Sequence, residues 1–225
     1  MTAVRLHYRS WGSPDSEAVI LLHGGASDSS TWEGVAAVLS KTWRVYAPDL
    51  RGHGKSEWPG KYSLELMRED VLELTEELGL AEAAYVGHSM GGAVAYLLTL
   101  SDPERVTRLV LEETPPPEPL GLPVPERPEG PEVPLPYDFA VRLAIIEQLN
   151  APDPGWWARA DEVSTPTLVI SGGPASHLPS RMMYEFAARL PGGRMVTIPA
   201  GHRVHEAAPD RFLEAVVGFL DGQGL

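Results

Sequence analysis

Short apolar runs bounded by Gly, Pro or Asp recur along the chain at 18–22, 43–47, 83–86, 108–111, 166–170 and 194–198. Runs of this length with little polar interruption read as strands buried on both faces. Between them, apolar residues return every three to four positions at 31–40, 63–79, 90–101, 181–190 and 208–220, the spacing of helices that bury one stripe. Residues 6–11 alternate apolar and polar and predict an antiparallel edge strand. Strand and helix alternate, so the predicted fold class is α/β, a mostly parallel central sheet of about seven strands with helices on both faces. No internal repeat is visible.

One stretch breaks this rhythm. Residues 115–136 hold ten of the 22 prolines, which rules out helix and central strand there. An amphipathic helix over about 137–149 follows, then Trp156-Trp157. Long insertions of this kind in compact domains are usually lids or linkers. The expected division is a core of residues 1–114 and 161–225 with a proline-rich cap over 115–160. Phe139, Leu143 and Ile146 of the cap helix, and Trp156, are expected to face a pocket.

Composition narrows the function classes. With 225 residues and 43% hydrophobic content the chain can build one core. A formal net charge of −13 opposes binding to nucleic acid or anionic lipid. The absence of cysteine removes thiol catalysis and thiolate metal sites. The N-terminus has no signal-peptide core and no run is long enough to cross a bilayer. A cytoplasmic protein acting on a small molecule is therefore expected.

The strand at 83–86 runs into Gly87-His88-Ser89-Met90-Gly91-Gly92 and then a helical stretch. This is G-x-S-x-G in strand-turn-helix context, where a tight turn thrusts the serine hydroxyl out at the carboxyl end of the sheet. His23-Gly24-Gly25 ends an earlier strand, Asp49-Leu50-Arg51-Gly52-His53-Gly54-Lys55-Ser56 forms a Gly-rich turn, and Gly201-His202 follows the last strand. On these motifs the chain resembles the α/β-hydrolase family from Leu6 to Leu220. The resemblance implies Ser89 as nucleophile, His202 as base, and an oxyanion hole from the backbone N–H groups of Gly25 and Met90. It implies no cofactor.

The acid departs from the commonest family pattern, which places Asp three residues after Gly172, where this chain has Ala175. Some members carry the carboxylate after the preceding strand, and there the matching residue is Glu113, with Glu112 second. Strand alternation lets only one of the two point at His202. The competing reading is that both glutamates sit at a solvated strand end.

Other residues take structural readings first. His202-x-x-His205-Glu206 matches neither metalloprotease spacing, so no metal is expected and His205 is assigned to the framework. His88 and His53 are expected to pack the pocket wall, Asp49 and Arg51 to brace their turn, and Trp32 to pack. His177 lies where the usual acid loop would be and is a candidate substrate contact. These residues predict a serine hydrolase acting on a carboxylester, lactone, thioester or carbon–carbon bond beside a carbonyl. A serine nucleophile disfavours the dehalogenase and epoxide hydrolase chemistries that the family runs with Asp. A ligand receptor that kept the fold and lost turnover is the alternative, motivated by Ala175. A proline-rich adaptor ligand fits poorly with the acidic residues of that stretch.

Overall fold

The computed structural model describes residues 4–127 and 135–223. Seven strands form one sheet: β1 (Tyr8–Trp11), β2 (Ala18–Leu22), β3 (Arg44–Pro48), β4 (Ala83–His88), β5 (Val106–Glu112), β6 (Thr167–Ser171) and β7 (Gly193–Thr197). Their spatial order is β1-β3-β2-β4-β5-β6-β7. All pairings are parallel except that of β1, which runs antiparallel to β3 with Tyr8 opposite Pro48. The helices are α1 (Glu33–Leu39), α2 (Leu64–Glu77), α3 (Met90–Ser101), α4 (Phe139–Asn150), α5 (Pro154–Ala158), α6 (Ser180–Arg189), α7 (Val204–Ala207) and α8 (Pro209–Leu220). Every strand and long helix expected from the pattern is present. The short α5 and α7 were not expected, because five and four residues are too few to show a helical period.

The two faces of the sheet bury separate cores, and strand alternation assigns the residues. Ile20, Leu22, Tyr85, Leu109 and Leu111 pack with α2, α3, α4 and α6. Val19, Leu21, Val86, Val110 and Ile170 pack with α1 and α8. The central strands β2, β4 and β6 are buried at every position, which is why they read as continuous apolar runs. β7 differs from the buried strand expected of its sequence. It has one neighbour and lies at the sheet edge, leaving it partly exposed.

The proline-rich segment is described as far as residue 127 and again from 135, so part of the expected cap lies outside the described residues. The described part has no regular structure but is tied down. Asn150, the only asparagine in the chain, donates from Nδ2 to the Leu122 carbonyl at 2.8 Å and accepts the Leu122 N–H at 2.6 Å. On the far side, Gly54 N–H donates to Pro136 O and Asp138 N–H to Gly52 O, both at 2.7 Å. Asp138 then caps α4, accepting the Ala140 N–H at 3.0 Å. Asn150→Ala is expected to lower the melting temperature by a few degrees, since two partly buried hydrogen bonds contribute about 1 kcal/mol each. It should also speed proteolysis between residues 115 and 127. Unchanged melting and cleavage would show that the reciprocal pair holds nothing in place.

Candidate active site

β4 ends at His88, and Ser89 occupies φ 51°, ψ −116° before α3 starts at Met90. A non-glycine residue at positive φ carries backbone strain, which persists only where surrounding structure enforces it. The enforcement is local: Ser89 N–H donates to Glu112 O on β5 at 2.9 Å, and Ala93 N–H to Ser89 O at 3.1 Å. Gly87 is required there, because a Cβ on it would come within 2.5 Å of the Gly92 Cα. Met90, as the first residue of α3, has an N–H with no partner inside the helix.

The loop after β2 lies beside this turn. A Cβ on Gly25 would meet Met90 Sδ at 3.9 Å, and Gly25 and Met90 line the same cavity as Ser89. His23 fixes the loop: its Nδ1–H donates to Gly24 O at 2.8 Å and its Nε2 accepts the Leu50 N–H at 2.9 Å. Burial pushes its pKa down, consistent with a neutral ring. Asp49 braces the same region, accepting N–H bonds from Ser29 at 2.8 Å and Lys55 at 3.0 Å. Arg51 pairs bidentately with buried Asp70, at 2.5 Å for each contact. Asp49 and Arg51 thus brace different elements.

The two glutamates at the end of β5 are fully buried, so the solvated strand end is ruled out. Glu112 follows the strand alternation onto the α1 and α8 face. There its carboxylate accepts the His205 N–H at 2.8 Å and faces His205 Nδ1 at 2.7 Å. Burial works against the charge of Glu112, but His88 and His205 outweigh it and hold the carboxyl below its ordinary range. The His205 ring stacks on Trp32 with centroids 4.2 Å apart. Glu113, just past the strand, turns to φ 47°. Its Oε2 stands 3.1 Å from His202 Nδ1. Its Oε1 accepts the Gly172 N–H at 2.5 Å, and the Ser176 hydroxyl donates to Oε2. The loop that would carry an Asp at 175 therefore donates hydrogen bonds to Glu113 instead. Ser176 was missed from sequence because nothing local marks a serine as the partner of a carboxylate 63 residues away.

His88 joins the two halves. Its Nε2–H donates to the His202 carbonyl at 2.8 Å, and its ring lies against Gly24, where a Cβ would meet Nδ1 at 2.5 Å. The ring centroids of His88 lie 4.8 Å from His202 and 5.1 Å from His205. Burial drives the pKa of His88 down to about 4.

Ser89, His202 and His177 line one cavity of about 260 Å³. His177 stands with its ring centroid 4.2 Å from that of His202, and burial followed by the neighbouring His202 pushes its pKa down. The cap expectation holds for Ile146 and needs correction for Phe139, Leu143 and Trp156. Val141, Arg142, Ile145, Ile146 and Leu149 of α4 line the cavity, but Phe139 and Trp156 are not among the lining residues. At 100° per residue the lining stripe spans 141 to 149, and positions 139 and 143 fall outside it. Phe139 packs against the core cluster and Leu143 is exposed. Trp156 packs against the core, and its carbonyl accepts the Tyr96 hydroxyl at 2.7 Å. The i, i+4, i+8 spacing of Val141, Ile145 and Leu149 was the signal that marked this face.

The family profile describing the alpha/beta hydrolase fold matches residues 17–134. The chain belongs to the α/β-hydrolase fold family. Among its relatives, an sn-1-specific diacylglycerol lipase of Mus musculus is 29% identical over 254 residues, covering 93% of this chain and 82% of that protein. Among solved structures, the enol-lactonase from Burkholderia xenovorans LB400 is 26% identical with a TM-score of 0.85, covering 97% of each chain. A hydrolase from Pseudomonas aeruginosa is 27% identical with a TM-score of 0.83, covering 96% of this chain and 94% of that one. These likenesses support a hydrolytic α/β enzyme. No helix among the described residues is long and apolar enough to cross a membrane.

The depressed pKa of His88 couples this site to stability. The unfolded chain takes up this proton below about pH 6.5, whereas the folded protein takes it up only below about pH 4. Stability should therefore fall as pH drops across that window, by on the order of 3 kcal/mol from this ring, and then level off. Thermal melts from pH 7 to pH 4 should show a shallower slope for His88→Asn than for the native protein. Some slope should remain from His53, which burial lowers to about 3. Identical slopes would place the titration elsewhere.

Proposed function

We propose that the protein is a serine hydrolase acting on a small-molecule carbonyl substrate, a carboxylester, lactone, thioester or carbon–carbon bond beside a carbonyl. The observation that carries this reading is the buried Glu113 carboxylate 3.1 Å from His202 Nδ1, in a ring that lines the same cavity as Ser89. A carboxylate at that nitrogen holds the proton on Nδ1 and leaves the Nε2 lone pair to act as base. Ser89 Oγ attacks the substrate carbonyl carbon as its proton passes to Nε2. The carbonyl oxygen becomes an oxyanion against the N–H groups of Gly25 and Met90, the second aided by the N-terminal dipole of α3. The imidazolium, stabilised by Glu113, protonates the leaving group, and water then releases the acyl group from Ser89 by the same route. The lipase and lactonase likeness favours an ester or lactone bond. The receptor alternative rested on the missing Asp at 175, and a carboxylate supplied from position 113 takes away that motive.

A fluorophosphonate probe is expected to label the native protein at Ser89 alone, because rapid reaction needs an activated serine in an oxyanion site. Labelling that survives Ser89→Ala would reject this mechanism, and tight binding of small molecules without labelling or turnover would favour a receptor.

The two glutamates should separate by readout. Glu113→Gln is expected to lower kcat by roughly 10²- to 10⁴-fold, and adding Ala175→Asp should restore part of the rate. Glu112→Gln is expected to act on stability, since it alters a fully buried carboxylate that accepts the His205 N–H and faces His205 Nδ1. Native kcat in Glu113→Gln, or a kcat defect in Glu112→Gln without a melting shift, would reverse the assignment.

A further inference from the structure

The cavity beside Ser89 carries a charge opposite to that of the chain. The protein has 18 Lys and Arg against 31 Asp and Glu. Among the described residues the cavity lining nevertheless includes Arg142 and Arg203 and one carboxylate, Glu206. Glu206 is already engaged, its Oε2 3.3 Å from Arg203 Nη1. Arg142 makes no ion pair among the described residues, and it interrupts an otherwise apolar stripe of Val141, Ile145, Ile146 and Leu149.

A guanidinium offers five N–H donors and no acceptor, in a planar fork that matches a carboxylate. Arg142 and Arg203 are both exposed where they line the cavity, so solvent screens their charge and selectivity falls to the geometry of the fork. Two arginines less one glutamate leave a formal charge of about +1, which suits a singly charged carboxylate better than a doubly charged phosphate. The volume of about 260 Å³ is small for a ligand pocket. We infer that the substrate bears a free carboxylate, bound by Arg142 with Arg203 adding charge, while its apolar part lies along α4 and its reactive carbonyl reaches Ser89. This assignment rests on the serine-hydrolase reading for the bond cleaved, but not for the binding of the carboxylate.

The test compares 4-nitrophenyl pentanoate with the 4-nitrophenyl monoester of glutarate, which have equal acyl length and differ by a terminal carboxylate. The native protein should favour the glutarate ester in kcat/KM. Arg142→Gln should lower the glutarate-to-pentanoate ratio by about tenfold or more, mainly through KM, as expected for loss of a charge-assisted hydrogen bond. Arg142→Lys should lower it less, and Arg211→Gln on α8, the same charge change outside the lining, should leave it unaltered. A ratio unmoved in the Arg142→Gln, Arg203→Gln double variant would overturn the inference. Binding to Ser89→Ala, measured by calorimetry, decides the matter without turnover. Monomethyl glutarate should bind more tightly than methyl pentanoate and lose that advantage in Arg142→Gln, whereas equal binding would refute the carboxylate site. Absent turnover and absent Ser89 labelling would instead refute the hydrolase reading alone. Stronger inhibition by phenyl phosphate than by benzoate would reassign the subsite to phosphate.

Discussion

Two consecutive carboxylates hold the loop after β7 against the end of the sheet, Glu112 through His205 and Glu113 through His202. Both are fully buried, and a buried carboxylate without a partner costs several kcal/mol. Each carboxylate needs its partner, and the two partners stand three residues apart, His202 in the loop after β7 and His205 in the first turn of α7. A slip there would leave two buried carboxylates without partners, so the pairing selects one docking position for His202. The N–H of Gly172 then satisfies the other oxygen of Glu113, and the hydroxyl of Ser176 donates to the oxygen that faces His202.

The geometry of β5 makes this double attachment possible. Glu112 is the last residue in strand register and points to the face of α1 and α8, where Trp32 and Phe212 enclose His205. Glu113 leaves the register at φ 47° and reaches the opening above the sheet. The same carboxyl end carries the strained turn at Ser89, whose N–H is held by the Glu112 carbonyl. Ser89 and Glu113 thus hang from the ends of adjacent parallel strands, and the relation between them is set by the sheet hydrogen bonds more than by loops. His88 adds a clamp across the gap, from β4 to the His202 carbonyl. Its burial keeps it neutral near neutral pH, so the clamp donates from one nitrogen without bringing a positive charge beside the His202 ring.

Over this rigid floor the wall of the cavity is made differently. α4 lays an apolar stripe across the mouth and is anchored at one end by Asp138 and at the other by Asn150. A rigid floor under a separately built wall is a division common among enzymes that share a fold, since the wall can vary without disturbing the floor.

Much of this was legible in the chain itself. Central strands are buried on both faces and so appear as uninterrupted apolar runs, and helices show their period because one stripe is buried. The turn at Ser89 is equally local, since its glycines are needed by neighbours a few residues away. The edge strand β7 and the short α5 and α7 were less clear, because their burial depends on what lies beside them. Which face of α4 meets the cavity was misjudged through Phe139, which packs on the core while Val141 and Ile145 look inward. The pairing of Glu112 with His205 and Glu113 with His202 joins residues 93 and 89 positions apart. Alternation could say that the two acids diverge, but only the docked loop assigns each one its histidine. Local periodicity reports burial along one element, whereas the partner of a buried charge is chosen by the fold that closes around it.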